Sequence, residues 1–171
     1  MVFLKLKKTI SKLNKKKHFV ATALIVDLSE NAKVLLIKHK KSGKWLPPGG
    51  HLDENELPDD CVLREVKEET ALSVEIISEA LDVSGEDVET LHTPLLVQLE
   101  DIDEEHQHVD LQYLCKAKEG KVHEGKHEEH DGISWFSEAE LKEFPELPFD
   151  VRENSFKAIV KARELKEKGL F

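Results

Sequence analysis

Three glutamates near the middle of the chain have the residue type and spacing of a metal site. Glu65, Glu68 and Glu69 stand at i, i+3 and i+4 within residues 56–70, a segment whose pattern predicts a helix. On a helix this spacing places the three carboxylates on one face, with Cβ atoms about 5–6 Å apart. Such a cluster repels itself unless it binds a hard divalent cation such as Mg²⁺ or Mn²⁺, which can also hold phosphate. The spacing therefore predicts an oxygen-ligand site for a metal.

The segments before this helix predict a hairpin followed by a loop. Residues 19–28 and 33–39 are aliphatic and β-branched and are joined by a short polar turn, so we expect two strands that are covered on both faces. Glycines and prolines between residues 43 and 50 exclude regular structure and allow the backbone to approach a ligand closely. Asn55 is expected to cap the helix, with Pro58 in its first turn.

The segments after the helix predict the rest of an α/β domain. We expect strands at 72–81, 94–99, 109–117 and 133–136, a charged loop at 118–131 near the functional face, a capping box of Ser137 and Glu140, and a last helix capped by Asp150. The predicted fold is a mixed β-sheet with helices on both sides, in one domain.

Composition restricts the class of protein. The 171 residues can bury a core without disulfides, and two cysteines, Cys61 and Cys115, favour a reduced, intracellular protein. No apolar run is long enough to span a bilayer and no secretory signal is evident. We therefore expect a soluble, cytoplasmic protein with no integral membrane segment.

Charge is distributed unevenly along the chain. Residues 1–17 contain seven lysines and no acidic residue, although the net charge of the chain is −10. Apolar residues at steps of three and four predict a basic amphipathic helix at 1–17, packed on the domain of residues 18–171 or in contact with an anionic membrane or RNA. The acidic remainder disfavours DNA as a partner, because a nucleic-acid backbone is bound by clustered lysine and arginine.

At residues 50–72 the sequence resembles the Nudix hydrolase family. The Nudix box consists of Gly, five residues, Glu, seven residues, and then Arg-Glu-apolar-any-Glu-Glu-any-Gly-apolar. The chain matches it with Gly50, Glu56, Arg64, Glu65, Val66, Glu68, Glu69 and Leu72, and both the LPPGG lead-in and Trp135-Phe136 are similar to family features. Ala71 replaces the usual Gly, and if this position is left-handed it costs about 1 kcal/mol.

The resemblance implies a Nudix-like α/β/α sandwich and Mg²⁺- or Mn²⁺-dependent hydrolysis of a nucleoside diphosphate linked to another moiety. It implies that Glu65, Glu68, Glu69 and the Gly49 carbonyl bind the metal. Glu56 and Arg64 are then expected to hold the loop and the helix together. The general base is expected to be Glu68 or Glu69, or Glu128 or Glu129 in the late loop.

The substrate is less well defined by the sequence. Trp45 or Tyr113 could stack a base, although such aromatics more often belong to a core, and residues 108–113 (HVDLQY) are a candidate pocket lining. Five histidines lie between residues 106 and 130, but their spacings match no recognised zinc ligand set. We expect a small nucleotide as partner and leave open whether the chain forms a homodimer.

Four functions fit the resemblance. The first is a pyrophosphohydrolase acting on (d)NTPs, ADP-ribose or another nucleotide sugar, or dinucleoside polyphosphates. The second is a catalytically silent domain that binds a nucleotide as a sensor, which Ala71 mildly favours. The third is an RNA 5′-end pyrophosphohydrolase that uses the lysine-rich segment, against which the acidic remainder counts. The fourth is a prenyl diphosphate isomerase, whose box is degenerate whereas this one is nearly complete.

Overall fold

The chain forms eight strands and three helices in a computed structural model that describes residues 15–29, 31–78, 83–119 and 130–171. The strands are β1 (Lys16–Asp27), β2 (Lys33–His39), β3 (Trp45–Leu46), β4 (Gly49–His51), β5 (Ser73–Ile76), β6 (Leu96–Asp101), β7 (His106–Glu119) and β8 (His130–Ser137). The helices are α1 (Pro58–Thr70), α2 (Glu138–Glu143) and α3 (Phe149–Glu167).

All eight strands join one mixed sheet. Its path is β3-β2-β1-β7-β5, with β4 paired to β1, β6 paired to β7 and β8 paired to β2. The pairing of β1 with β7 is parallel, whereas the other pairs are antiparallel. The predicted hairpin is confirmed by the antiparallel pairing of Val26 with Val34.

Helices cover both faces of this sheet, as predicted. Successive side chains of a strand point to opposite faces, so β1 supplies one core with Ala23 and Ile25 and the other with Leu24 and Val26. The first core packs against α1, which contributes Cys61, Val62 and Val66. The second packs against α2 and α3, which contribute Leu141, Val151, Ala158, Ile159, Ala162 and Leu165. The arrangement is the predicted α/β/α sandwich.

Two predicted helix caps were wrong, and a proline stands at the start of each helix instead, as the first residue of α1 and directly before the first residue of α3. The helix α1 begins at Pro58 after Leu57, and Asn55 has a φ of 66° outside the helix. Similarly, α3 begins at Phe149 after Pro148, and Asp150 lies within its first turn. Proline has its φ fixed near the helical value and lacks an N–H, so it starts a helix without a side-chain cap. The capping box of Ser137 and Glu140 is confirmed.

Several predicted boundaries also changed. The strand predicted at 72–81 is shorter (β5), those predicted at 109–117 and 133–136 are longer (β7 and β8), and the one predicted at 94–99 is displaced by two residues (β6). The helix prediction for 1–17 is wrong for its last two residues, because Lys16 and Lys17 belong to β1. Residues 1–14 of that segment, and residues 120–129 of the predicted loop, lie outside the described residues.

Both cysteines are buried and neither forms a disulfide. Within the described ranges, none of the helices has the length and apolar character needed to cross a membrane.

Candidate active site

The short strand β4 brings the backbone of the glycine pair against helix α1. It pairs with β1 through Thr22 and Gly49, and the Gly49 N–H donates a 2.9 Å hydrogen bond to Glu69 Oε2. A Cβ atom at Gly49 would collide with the Ala21 carbonyl oxygen and would lie 2.7 Å from Thr22 Cα, at a φ of 154°. Only glycine therefore allows β1 and the carboxylate of Glu69 to meet at this residue.

Gly50 lies against the second buried carboxylate. A Cβ atom on Gly50 would lie 2.5 Å from Glu65 Cδ and would also collide with Glu65 Oε1. The missing side chain thus leaves the space that the Glu65 carboxylate occupies. The two glycines place Glu65 and Glu69 against a backbone that offers both N–H and C=O groups.

Arg64 connects the loop to the helix, as the resemblance implied. Its Nε and Nη2 atoms donate 2.8 Å hydrogen bonds to the two oxygens of Glu56, and Nη2 also donates to the His51 carbonyl at 3.2 Å. Its Nη1 atom donates to Glu65 at 2.8 Å and to Glu68 at 3.2 Å. The hydrogen bonds from Arg64 lower the pKa of Glu56 to about 2, so this pair is ionised across the ordinary pH range. The predicted role of Glu56 and Arg64 is confirmed by these contacts.

The three predicted metal ligands differ in exposure. Glu65 and Glu69 are 9% and 5% exposed, whereas the Glu68 side chain is 58% exposed. Buried carboxylates require partners, and here a single guanidinium faces Glu56, Glu65 and Glu68, with Glu69 on the same helix face. Carboxylate and carbonyl oxygens are the donors that Mg²⁺ and Mn²⁺ accept. The residues present therefore fit a hard divalent cation, and ligation by these glutamates and the Gly49 carbonyl stays a prediction.

Ala71 ends helix α1 in the strained conformation expected from its place in the box. Its φ is 61° and its ψ is 3°, which is the left-handed region, and its N–H bonds to the Lys67 carbonyl at 3.0 Å. The carboxylates of Glu65, Glu68 and Glu69 lie in the preceding turns, so the strain is confined to the end of the helix and the three carboxylates are unchanged.

The two predicted stacking residues occupy different environments. Tyr113 is 1% exposed and packs in the core beneath α1, so its ring has no surface for a base and the stacking prediction is wrong for it. Trp45 is half-buried and packs edge-on against Phe136, with ring centroids 5.1 Å apart. A contact between Trp45 and a substrate stays a prediction. Glu128 and Glu129, the predicted alternative bases, lie outside the described residues.

A strip of polar side chains lies on β7 and β6, separated from β4 by β1, and includes one residue of α3. We call it the polar strip, and its members are Gln98, Glu100, Asp110, Gln112 and Asn154. Asp110 accepts hydrogen bonds from Thr22 at 2.7 Å and from Gln112 at 2.6 Å, and Asn154 donates to Gln98 at 2.7 Å. Thr22 also pairs with Gly49 in the sheet, so one residue of β1 contacts both the polar strip and the Gly49–Gly50 pair, which we call the glycine loop.

Burial raises the pKa values of the two acids in the polar strip. It raises the pKa of Glu100 to about 7, with smaller contributions from Asp110 and Asp150, and it raises the pKa of Asp110. The sequence signal for the strip was the alternation of polar and apolar residues in the HVDLQY segment. Residues 97–100 (VQLE) on β6 show the same alternation, whereas Asn154 on α3 gave no such local signal.

Comparisons with known proteins agree with this geometry. A family model of the NUDIX domain matches residues 17–158. The probable DHNTP pyrophosphohydrolase of Lactococcus lactis subsp. cremoris (strain MG1363) is 29% identical over 108 residues, which cover 63% of this chain and 59% of that protein. The 8-oxo-dGTP diphosphatase of Proteus vulgaris is 36% identical over 64 residues, which cover 36% of this chain and 57% of that protein. The chain thus spans less than two thirds of the length of either relative.

The fold is shared with solved structures. A hydrolase of the NUDIX family from Clostridium perfringens is 29% identical, with a TM-score of 0.72 over 86% of this chain and 99% of that chain. The domain match covers most of the chain, and it includes the glycine loop, α1 and the three glutamates. The chain therefore belongs to the Nudix hydrolase family.

Proposed function

We propose that the chain is a Mg²⁺- or Mn²⁺-dependent pyrophosphohydrolase that cleaves the diphosphate linkage of a small nucleotide. The observation that carries this proposal is the placement of two nearly buried carboxylates, Glu65 and Glu69, against the glycine backbone of β4. A carboxylate cluster of this kind favours a cation, and a cation next to backbone groups favours phosphate. The names of the relatives, a pyrophosphohydrolase and a diphosphatase, support the same reaction class.

The metal would be held by Glu65, Glu68, Glu69 and the Gly49 carbonyl. When bound, it supplies charge neutralisation on the non-bridging phosphate oxygens and acidifies a water molecule. The chain itself has to orient the diphosphate and accept the proton of the attacking water. That water forms a new O–P bond while the bridging P–O bond breaks, and the leaving phosphate takes the electron pair.

Glu68 is the residue best placed to accept that proton. It is the exposed member of the three, and its contact with Arg64 is the longer one, at 3.2 Å. Glu69 already accepts the Gly49 N–H, which gives it a positioning role in the loop. A base must have room to approach the water and to turn away afterwards, and exposure provides that room. Glu129 stays an alternative base.

We propose that the partly exposed members of the polar strip, Gln98 and Glu100 on β6, contact the rest of the nucleotide. The buried members, Asp110, Gln112 and Asn154, support this edge through hydrogen bonds, and Thr22 connects them to Gly49. Bases are recognised by paired donors and acceptors, which amides and carboxyls provide. The pKa of Glu100, raised to about 7, allows this residue to donate or accept near neutral pH.

One experiment tests the proposal. The purified chain is incubated with Mg²⁺ or Mn²⁺ and a panel of (d)NTPs, nucleotide sugars, dinucleoside polyphosphates and 5′-triphosphate RNA, and the phosphate and nucleotide products are identified. Glu68→Gln should lower kcat by about 10²–10⁴-fold, because it removes the proton acceptor. The matched control is Glu143→Gln, which changes an exposed glutamate on α2 and should leave kcat unchanged.

The outcomes separate the competing functions. Turnover of RNA alone would favour the 5′-end reaction, and saturable nucleotide binding with no turnover of any substrate would favour a sensor. If Glu68→Gln and Glu69→Gln both retain the wild-type kcat, the proposed site is in the wrong place. Glu129→Gln in the same assay decides whether the late loop supplies the base.

A further inference from the structure

Four histidines from three strands meet on the sheet surface outside the glutamate site. In the parallel pairing of β1 with β7, His18 is opposite His108, and Lys16 is opposite His106. In the antiparallel pairing of β1 with β4, Val20 is opposite His51. Residues 18 and 20 of one strand point to the same face, so the imidazoles of His18, His51 and His108 share it.

These three imidazoles are close enough to share one ion. One ring nitrogen from each of His18, His51 and His108 lies within 4.8 Å of the others. The ring centroids are 4.7 Å apart for His51 and His108, and 5.5 Å apart for His18 and His51. Within the described ranges, this is the group of three that meets such a distance limit.

We propose that His18, His51 and His108 form a second metal site, which binds a divalent transition metal such as Zn²⁺ and is separate from the glutamate site on α1. Three imidazoles are a ligand set for zinc, copper or nickel, whereas Mg²⁺ prefers oxygen. With Zn–N bonds of about 2.0–2.1 Å, the nitrogens of a tetrahedral site are about 3.3 Å apart. The rings therefore have to close by about 1.5 Å or less. Rotation of exposed His51 and half-buried His18 provides this movement.

A buried nitrogen without a partner supports this site independently. The Nε2 atom of His108 is buried and has no hydrogen-bond partner among the described residues. A buried polar atom left in this way costs free energy unless something binds it.

The surroundings favour a cation as well. His106 lies 5.4 Å from His18 and 5.5 Å from His108, measured between ring centroids. Its Nδ1 atom is 2.7 Å from Asp103, whose other oxygen accepts the backbone N–H groups of Glu105 and His106. A carboxylate that holds an imidazole next to a metal site fixes its orientation and makes it a better donor. His106 is thus a ready fourth ligand or a support for the first three.

A metal here would fix the strand that carries the glycine loop. His51 is the last residue of β4, after Gly49 and Gly50, which contact Glu69 and Glu65. Bound to His51, His18 and His108, a metal would tie this three-residue strand to β1 and β7. Because a metal that binds only the folded state stabilises it, Zn²⁺ should raise the melting temperature.

The test uses the full chain, stripped with a chelator and then dialysed. Zn²⁺ is titrated by calorimetry in millimolar Mg²⁺, which occupies oxygen ligands, and Co²⁺ is followed by its visible absorption bands. We expect one equivalent of Zn²⁺, an increase in Tm, and Co²⁺ bands typical of nitrogen ligands. His51→Gln should weaken Zn²⁺ binding by at least about tenfold, since it removes one of three ligands. As His51 is exposed, this variant keeps the fold even where His108→Gln does not.

Two controls make the result decisive. His39→Gln removes the last residue of β2, a histidine that bonds to Ser42, and it should leave Zn²⁺ affinity unchanged. Glu68→Gln should also leave it unchanged, because that carboxylate belongs to the other site. Failure of the wild-type chain to bind stoichiometric Zn²⁺ overturns the proposal. So does equal affinity in His51→Gln, or loss of binding in Glu68→Gln.

Discussion

Replacing Gly50 by alanine should separate catalysis from stability in this protein. The new Cβ atom would lie 2.5 Å from Glu65 Cδ. Carbon atoms pack at about 3.5 Å or more, so the Glu65 carboxylate has to withdraw by about 1 Å. This carboxylate is the end of a flexible side chain, and moving it should lower the free energy of unfolding by only about 1 kcal/mol.

The same movement should have a much larger effect on turnover. Metal–ligand distances tolerate about 0.2 Å, and a displacement of about 1 Å at a reacting centre can lower the rate about 10²-fold. We therefore expect kcat for Gly50→Ala to fall about 10²-fold, equivalent to about 2.7 kcal/mol in the barrier. The assay measures kcat at saturating nucleotide and Mg²⁺, together with Tm by differential scanning calorimetry.

Gly49→Ala is the matched control, because the adjacent glycine meets backbone instead of a movable side chain. Its Cβ atom would collide with the Ala21 carbonyl and lie 2.7 Å from Thr22 Cα. We expect this variant to lose stability as well as activity. The reasoning is refuted if Gly50→Ala turns over nucleotide at the wild-type rate, or if it is destabilised as strongly as Gly49→Ala.

Three further variants and reactions probe the site and its helix. Ala71→Gly should stabilise the fold by about 0.5–1 kcal/mol, because relief of the left-handed strain outweighs the entropy of glycine in the unfolded chain. The control Ala139→Gly, within α2, should destabilise the fold by about 1 kcal/mol. Denaturant unfolding that gives both changes the same sign would contradict this prediction. Arg64→Lys should lower both kcat and Tm, with a loss of about 1–2 kcal/mol in the free energy of unfolding, because an ammonium cannot make the paired bonds to Glu56. An unchanged Tm would exclude the bridging role of Arg64. The Cys61 thiol, whose pKa burial raises to about 12, should react with a disulfide reagent at pH 8 about a thousandfold slower than a free thiol until the protein is unfolded. Rapid labelling of the native chain would show that the packing of α1 against the sheet opens.

The helix α1 and its glutamates could be predicted because their information is local. The spacing of Glu65, Glu68 and Glu69 places them on one face whatever surrounds the helix. The left-handed conformation of Ala71 followed from its position after the last helical turn, and the structure has it at a φ of 61°. The start of the helix was less predictable, because Asn55 competed with Pro58, and a fixed proline φ determined the outcome.

Contacts between distant strands could not be predicted in this way. His18 and His108 are neighbours because β1 and β7 pair in parallel, and the two segments lie about 90 positions apart in the sequence, so neither one identifies its partner. A shift of this register by one residue would place the two imidazoles on opposite faces. The same dependence on register made the stacking role of Tyr113 wrong, since its side chain faces the core beneath α1 while its neighbour Gln112 joins the polar strip.

Strand β4 lies between the two metal sites that we propose, which differ in their ligand chemistry. Gly49 and Gly50 bring backbone and empty space to the carboxylates of Glu69 and Glu65, and His51 carries an imidazole to His18 and His108. Oxygen donors select Mg²⁺ or Mn²⁺, whereas imidazoles select zinc and its neighbours, so neither ion has to displace the other. The Arg64 side chain bonds to the His51 carbonyl as well as to Glu65, which joins the two sets through a single guanidinium. A metal on the histidines would therefore restrain the same backbone on which the geometry of the glutamates depends.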